Sequence, residues 1–149
     1  MLAEVMREPA YGAYRLRLEY LLQIPTDASE LETHEMIQFG FEAQRLMQLC
    51  DQGDVTPLGR DQIIPLKTLK TRVARDQRLT VDESDRLFRA AHIIAMADTL
   101  FGNDEKAKRW LSKPKDRFSG KSPMAMLSTI QGTRQVEEML IQLAEGFAF

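Results

Sequence analysis

Start and stop signals for helices recur at short intervals along this chain, and they constrain its fold more than any other feature. Ser29 with Glu32, and Thr80 with Glu83, have the spacing of capping boxes, in which side chain and backbone at a helix start satisfy each other. Thr56-Pro57 and Ser122-Pro123 pair a capping hydroxyl with a proline at the first helical position, where the missing N–H costs nothing. Gly40, Gly53, Gly102, Gly132 and Gly146 stand just past apolar-periodic stretches, as glycine does at helix ends. No stretch alternates apolar and polar residues under valine, isoleucine or threonine enrichment, and no Asn-Gly or Asp-Gly turn occurs. The chain reads as all-α.

Taken in order, the periodicity predicts a helix over Tyr11–Gln23, with Tyr14, Leu18, Leu21 and Leu22 on one side and Pro25 ending it. A short helix opens at Ser29 and runs through Ile37, and Phe41–Gln52 follows with Leu46, Leu49 and Cys50 on one face. The segment opened by Thr56-Pro57 ends near Ile64-Pro65, and a proline-led basic helix covers Leu66–Arg75. Helix, short helix, turn and basic helix is the order of a helix-turn-helix element. The Thr80 cap then opens a long helix over Asp82–Leu100 with Leu87, Ala91, Ile94, Ala95 and Phe101 as its stripe and His92 beside it. Asn103 caps a helix carrying Trp110 and Leu111. Pro123–Ile130 is expected to be helical and stopped by Gly132, after which Thr133 caps a last helix bearing Val136, Leu140, Ile141 and Leu143. Three segments result: an N-terminal helical arm (1–27), a helix-turn-helix domain (28–78) and a small helical C-terminal domain (79–149).

Bulk properties exclude several classes. The apolar runs, such as Ala90–Ala97, are far shorter than the roughly 18 residues a membrane-spanning helix needs, and the MLAEVMREPAYG start, with Glu4 and Glu8, is not a signal peptide. The lone Cys50 has no internal partner and fits a reducing cytoplasm. His34 and His92 lie far apart without cysteines, no phosphate-binding or nucleophile-elbow glycine pattern occurs, and Glu137 and Glu138 diverge by roughly 100° on a helix. Neither enzyme activity, a cofactor nor a metal is expected. The net charge of −2 conceals an uneven distribution: residues 28–58 carry −5, whereas residues 59–78 carry +4. Such a basic stretch is either a polyanion-facing element or a solvated helix face.

The stretch RLTVDESDRLFRAAHIIAMADTLFGNDEKAKRWLSKPKDRFSGKSPMAMLSTIQGTRQVEEMLIQLAEG resembles the Xre/MbcA/ParS antitoxin family. The resemblance rests on Leu79, Glu83-Ser84, Arg86, Arg89, Phe101-Gly102, Glu105, Ala107, Trp110-Leu111 and Pro114, then Gly120, Ser122-Pro123, Leu127, Gly132, Val136 and Leu140. Upstream, IQFGFEAQRLMQLC followed by LKTLKTR is similar to the family's degenerate helix-turn-helix. The resemblance implies a type II antitoxin whose C-terminal domain binds a RES-domain toxin, an ADP-ribosyltransferase-like enzyme that consumes or uses NAD. It also implies autorepression through operator DNA. One departure stands out: TPLGRDQIIP is shorter than a regular second helix and is flanked by prolines.

On this reading the DNA-facing candidates are Lys67, Thr68, Lys70, Thr71, Arg72 and Arg75, and a homodimer on a palindrome is expected. Tyr11, Tyr14 and Tyr20 belong either to the dimer surface or to the local core. The toxin-facing candidates are Arg134, Glu137, Glu138, Gln142 and Glu145, with Phe147 and Phe149 either anchors in the partner or packed back on their own domain. Trp110 is either core or interface. The rival reading is a stand-alone helix-turn-helix repressor whose C-terminal half only dimerises.

Overall fold

From Ala90 to Leu100 the long predicted helix offers apolar side chains on almost every side, and such a helix is stable only when others enclose it. The computed structural model, which describes residues 6–146, contains that enclosure. Among the described residues the helices are α1 (Glu8–Leu22), α2 (Glu30–Phe39), α3 (Ala43–Asp51), α4 (Pro57–Asp61), α5 (Leu66–Ala74), α6 (Val81–Phe101), α7 (Asp104–Ser112) and α8 (Ile130–Gly146). Two 3₁₀ turns cover Asp116–Phe118 and Met124–Met126, and no β-strand occurs among these residues. No helix among them is long and apolar enough to cross a membrane.

Helices α1, α2, α7 and α8 all pack on α6. Leu87, Ala91, Ile94 and Ala95 of the expected stripe are buried, and so are Ala90, Ile93, Met96, Ala97 and Leu100 on the other sides. The alanines let neighbouring helices approach closely, while each buried leucine or isoleucine contributes about 1.5–3 kcal/mol. Helix α1 lays Tyr14, Leu18, Leu21 and Leu22 into this core, and starts at Glu8 because Pro9 is accommodated in a first turn. One continuous buried cluster runs through all three expected segments. It is tied by a charged junction: Arg17 of α1 reaches Asp98 of α6 at 2.6 Å, Asp54 of the α3–α4 turn at 3.1 Å and Asp104 of α7 at 3.5 Å.

The expected caps form. Ser29–Glu32 and Thr80–Glu83 each close both bonds of the capping box, the Thr56 hydroxyl accepts from the Gly59 amide at 3.1 Å, and Asn103 accepts from the Lys106 amide at 3.0 Å. Several helix ends shift, α1 starting at Glu8 and α2 ending at Phe39, and two departures bear on the packing. Helix α3 begins at Ala43, not Phe41, because the chain at 41–42 runs extended beside 78–79: the Leu79 amide donates to the Phe41 carbonyl at 2.8 Å, and the Phe41 amide to the Ser84 hydroxyl at 3.0 Å. Gly40, at φ 93°, makes that close pass possible.

The second correction concerns Gly132. Ser122-Pro123 does cap a turn, its hydroxyl accepting from the Ala125 amide at 3.2 Å, but only a 3₁₀ turn follows. The last helix starts at Ile130 and runs through Gly132 and Thr133; the capping hydroxyl is that of Thr129, which accepts from the Gly132 amide at 3.0 Å. Gly132 is therefore no stop signal but a contact point, since a Cβ there would lie 1.9 Å from the Met126 carbonyl oxygen. Alanine at Gly132 is expected to lower stability by about 1–3 kcal/mol through this clash, despite alanine's better helix propensity. Alanine at Gly12, whose surroundings are open, should raise it by roughly 0.5–1 kcal/mol. Urea midpoints of the two variants moving in the same direction would refute this account.

Candidate partner-binding surfaces

Helix α5 is held by Leu69, fully buried, and lies against α3. Its opposite side carries Leu66, Lys67, Lys70, Thr71 and Ala74 around a shallow solvent-facing groove. Lys67, Lys70 and Arg75 are exposed and form no ion pair with another described residue. Thr68 is half-buried, and the Thr71 hydroxyl donates back to the Lys67 carbonyl at 3.1 Å. The structure thus brings Lys67, Lys70 and Thr71 together on one face.

Arg72 is turned elsewhere. Its guanidinium donates to both carboxylate oxygens of Glu83, at 3.1 and 2.9 Å, and Glu83 is the residue that closes the capping box of α6. Burial pushes the Glu83 carboxyl up, but the Arg72 bonds and the Thr80 amide outweigh it and hold the carboxyl below its ordinary value. Arg72 is therefore a strut between α5 and α6. The sequence announced the capping box but not its third member, which sits eleven residues upstream and arrives only through the turn between the helices.

Helix α8 buries Thr133, Val136, Leu140 and Ala144 against the core. Arg134, Glu138, Gln142 and Glu145 stay exposed on its outer side. Gln142 accepts from Arg117 at 2.6 Å, and Glu138 lies 4.0 Å from the same guanidinium. Phe147 and Phe149 lie outside the described residues. Glu137 separates from the rest of the predicted set, because its carboxylate meets His92 Nε2 at 2.6 Å. An ionised carboxylate only accepts, so Nε2 carries the proton and donates; the Tyr14 hydroxyl, 2.6 Å away, then donates to the unprotonated Nδ1. The His92 bond holds the Glu137 carboxyl below its ordinary value, while burial pushes the Tyr14 phenol up. Phe88 stacks on the imidazole at 6.3 Å between ring centres. This relay joins α1, α6 and α8, and makes His92 a satisfied structural residue.

Trp110 is half-buried, tilted against Phe101 at 5.9 Å, with the Lys115 ammonium 4.9 Å from its ring centre. It belongs to the core margin, between Phe101 and the Lys115 ammonium. Tyr14 is core, whereas Tyr20 is exposed between Arg17 and Arg45. No group of three or more histidine, cysteine, aspartate or glutamate side chains among the described residues is arranged to hold a metal ion.

The comparisons with known proteins meet this geometry at the C-terminal helices. The family model described as the antitoxin Xre/MbcA/ParS C-terminal toxin-binding domain matches residues 96–146, which is the end of α6 together with α7, both 3₁₀ turns and α8. The chain is 63% identical over 147 residues to the Antitoxin Xre of Pseudomonas putida, spanning 99% of this chain and 92% of that protein. It is also 34% identical over 84 residues to the Antitoxin Xre of Yersinia enterocolitica, spanning 56% of this chain and 57% of that one. An all-helical chain with such a C-terminal domain is an antitoxin of the toxin–antitoxin class. It belongs to the Xre antitoxin family.

A pH prediction follows from the two lowered carboxyls. A group whose folded pKa lies below its unfolded value gives its full stabilisation above the ordinary carboxylate value of 4.5, and loses it as pH falls through the folded value. Arg72→Ala should cost about 1–3 kcal/mol near neutral pH, the range for losing bonds to a charged group. Its deficit against the natural chain should shrink as the pH drops below 4.5. A deficit that is constant across urea titrations at neutral and acid pH would contradict the strut.

Proposed function

We propose that this chain neutralises a RES-domain toxin that consumes NAD, by covering the toxin's active site or the route to it, and represses its own operon by binding operator DNA as a homodimer. The observation that carries the reading is the 63% identity to an Xre antitoxin over 147 residues, with a toxin-binding domain matched at residues 96–146. Occlusion needs no catalytic group, so an antitoxin of this kind acts by fit alone. The exposed side of α8, with Arg134, Glu138, Gln142 and Glu145 and the Phe147 and Phe149 side chains beyond it, is the surface assigned to the toxin. Glu137 supports that surface from beneath through His92.

For DNA the assignment narrows to Lys67, Lys70, Thr71 and Arg75, with Thr68 at the margin and Arg72 holding the helix. Later lysines and arginines of such a helix contact phosphates, and the short α4 makes a paired arrangement on two half-sites necessary for affinity. Lys67→Ala with Lys70→Ala should lower the slope of log affinity against log salt by about two units for the protein's own promoter. An unchanged operator shift across salt concentrations would remove α5 from the interface.

Co-expression with the neighbouring toxin tests the main claim. Cells carrying the toxin alone should lose NAD and stop growing, and the intact chain should protect them. Removing residues 147–149 deletes two aromatic anchors, each able to contribute about 2 kcal/mol at an interface, and should weaken the complex at least tenfold with little change in melting temperature. Full protection by the shortened chain would move the interface away from the C-terminal end.

A further inference from the structure

Between Lys106 and Lys121 the chain places seven cations, Lys106, Lys108, Arg109, Lys113, Lys115, Arg117 and Lys121, against the single acid Asp116, a net of +6 in a protein whose total is −2. With Asp104 and Glu105 at the start of α7 counted, residues 104–121 carry +4, as much as the stretch around α5. Lys106, Arg109, Lys113, Arg117 and Lys121 are exposed, whereas Lys108 turns toward Gly53 and the recess that Arg17 and Asp54 line. After α7 the chain makes a small hairpin in which Lys115 and Lys121 stand opposite each other, the Lys115 amide donating to the Lys121 carbonyl at 3.0 Å. Ser119 and Gly120, at φ 56° and 83°, close it, and the buried Phe118 anchors it to the core. Like charges facing each other across an antiparallel pair are destabilising. Lys115 bears a further sign of crowding, its ammonium pushed below the ordinary lysine value by burial and by Lys113.

Among the described residues little answers this charge. Lys108 meets Glu105 only at 3.9 Å and Arg117 meets Glu138 only at 4.0 Å. Lys106, Arg109, Lys113, Lys115 and Lys121 form no ion pair with another described residue. With 22 acidic residues available, neutralisation was open to this sequence, and electrostatic conflicts left standing in a folded chain concentrate at functional sites.

We propose that the basic face of α7 and the Lys115–Lys121 hairpin is a docking surface for an acidic face of the toxin, which it steers into place. The inference rests on the toxin-binding reading above and adds the partner's surface chemistry and the place it meets. Two observations favour a protein carboxylate surface over nucleic acid. The whole patch lies within residues 96–146, matched to a toxin-binding domain. It sits at the far end of α6 from α5: Arg72 of α5 pairs with Glu83 in the first turn of α6, while Trp110 of α7 packs on Phe101 at its end. Eighteen residues of helix separate those two points on α6 by about 27 Å, about three Debye lengths at physiological salt. Five of the seven cations are lysines, compact point charges that act mainly through the field they set up, and one of them, Lys115, lies over the Trp110 ring.

The test is a triple reversal of exposed positions, Lys106→Glu, Lys113→Glu and Lys121→Glu, with the triple glutamine variant alongside. Association and dissociation rates with the purified toxin are measured at low and high salt, together with melting temperature and operator binding. The natural chain should associate more slowly as salt rises. The reversal should weaken the complex at least tenfold, chiefly in the association rate, and invert that salt dependence, while the glutamine variant falls between. Melting temperature and operator affinity should hold, and if the reversal unfolds the chain, the glutamine variant alone carries the comparison. A natural complex whose rates the charge variants leave unchanged would overturn the inference and leave the toxin-binding reading intact. Loss of operator binding with toxin rates unchanged would assign the face to nucleic acid instead, and absence of any complex with the natural chain would overturn both readings.

Discussion

A helix that is apolar on all sides cannot lie at a surface, and α6 is such a helix over most of its length. Everything else in the chain is arranged to satisfy it. Four helices enclose it, and three of its buried or half-buried polar side chains are matched: Ser84 to the Phe41 amide, His92 to Tyr14 and Glu137, Asp98 to Arg17. Asp98 shows the tension most clearly, since burial pushes its carboxyl up against the pull of the Arg17 guanidinium. A charge in that position is retained only with its partner in place. Arg17 therefore ties the N-terminal helix, the α3–α4 turn and the start of α7 to one point on the central helix.

Local features of the sequence were the legible ones. Capping boxes, proline-led starts and apolar periodicity depend on neighbours within a few residues, and Ser29, Thr56, Thr80 and Asn103 all cap as their context demands. What escaped sequence reasoning depended on residues brought together from afar. Glycine ends helices so often that Gly132 reads as a stop, yet its reason for lacking a side chain is a carbonyl six positions earlier. Arg72 and Glu137 look like ordinary polar residues on amphipathic helices until their partners, Glu83 and His92, are known. On α8, periodicity set Val136 and Leu140 on the buried side and Arg134, Glu138, Gln142 and Glu145 outside, but it also put Glu137 outside and Ile141 and Leu143 within, where the structure leaves all three half-buried. The basic run from Lys106 to Lys121 was visible as composition, and its weight emerged only when the hairpin set Lys115 against Lys121.

The chain carries two groups of basic side chains, one on α5 and one on α7 and the hairpin after it. The basic side of α5 and the basic face beyond α7 occupy opposite ends of one rigid rod, while the acidic stretch at residues 28–58 lies between the α1 and α4 helices in sequence.

The contact at Gly132 has a consequence for the direction in which α8 faces. Successive side chains on a helix advance by about 100°, so a helix clamped at one residue has a fixed bearing for all the others. With its backbone seated against Met126, α8 is indexed like a gear on a keyed shaft: Arg134, Glu138 and Glu145 point where they do because the key sits at 132. One residue inserted between Met126 and Gly132 would leave the helix intact and its composition unchanged, but would force a choice between unseating the key and turning the whole outer side by about a quarter of a revolution. The short 3₁₀ turn before α8 is thus the part that sets its aim.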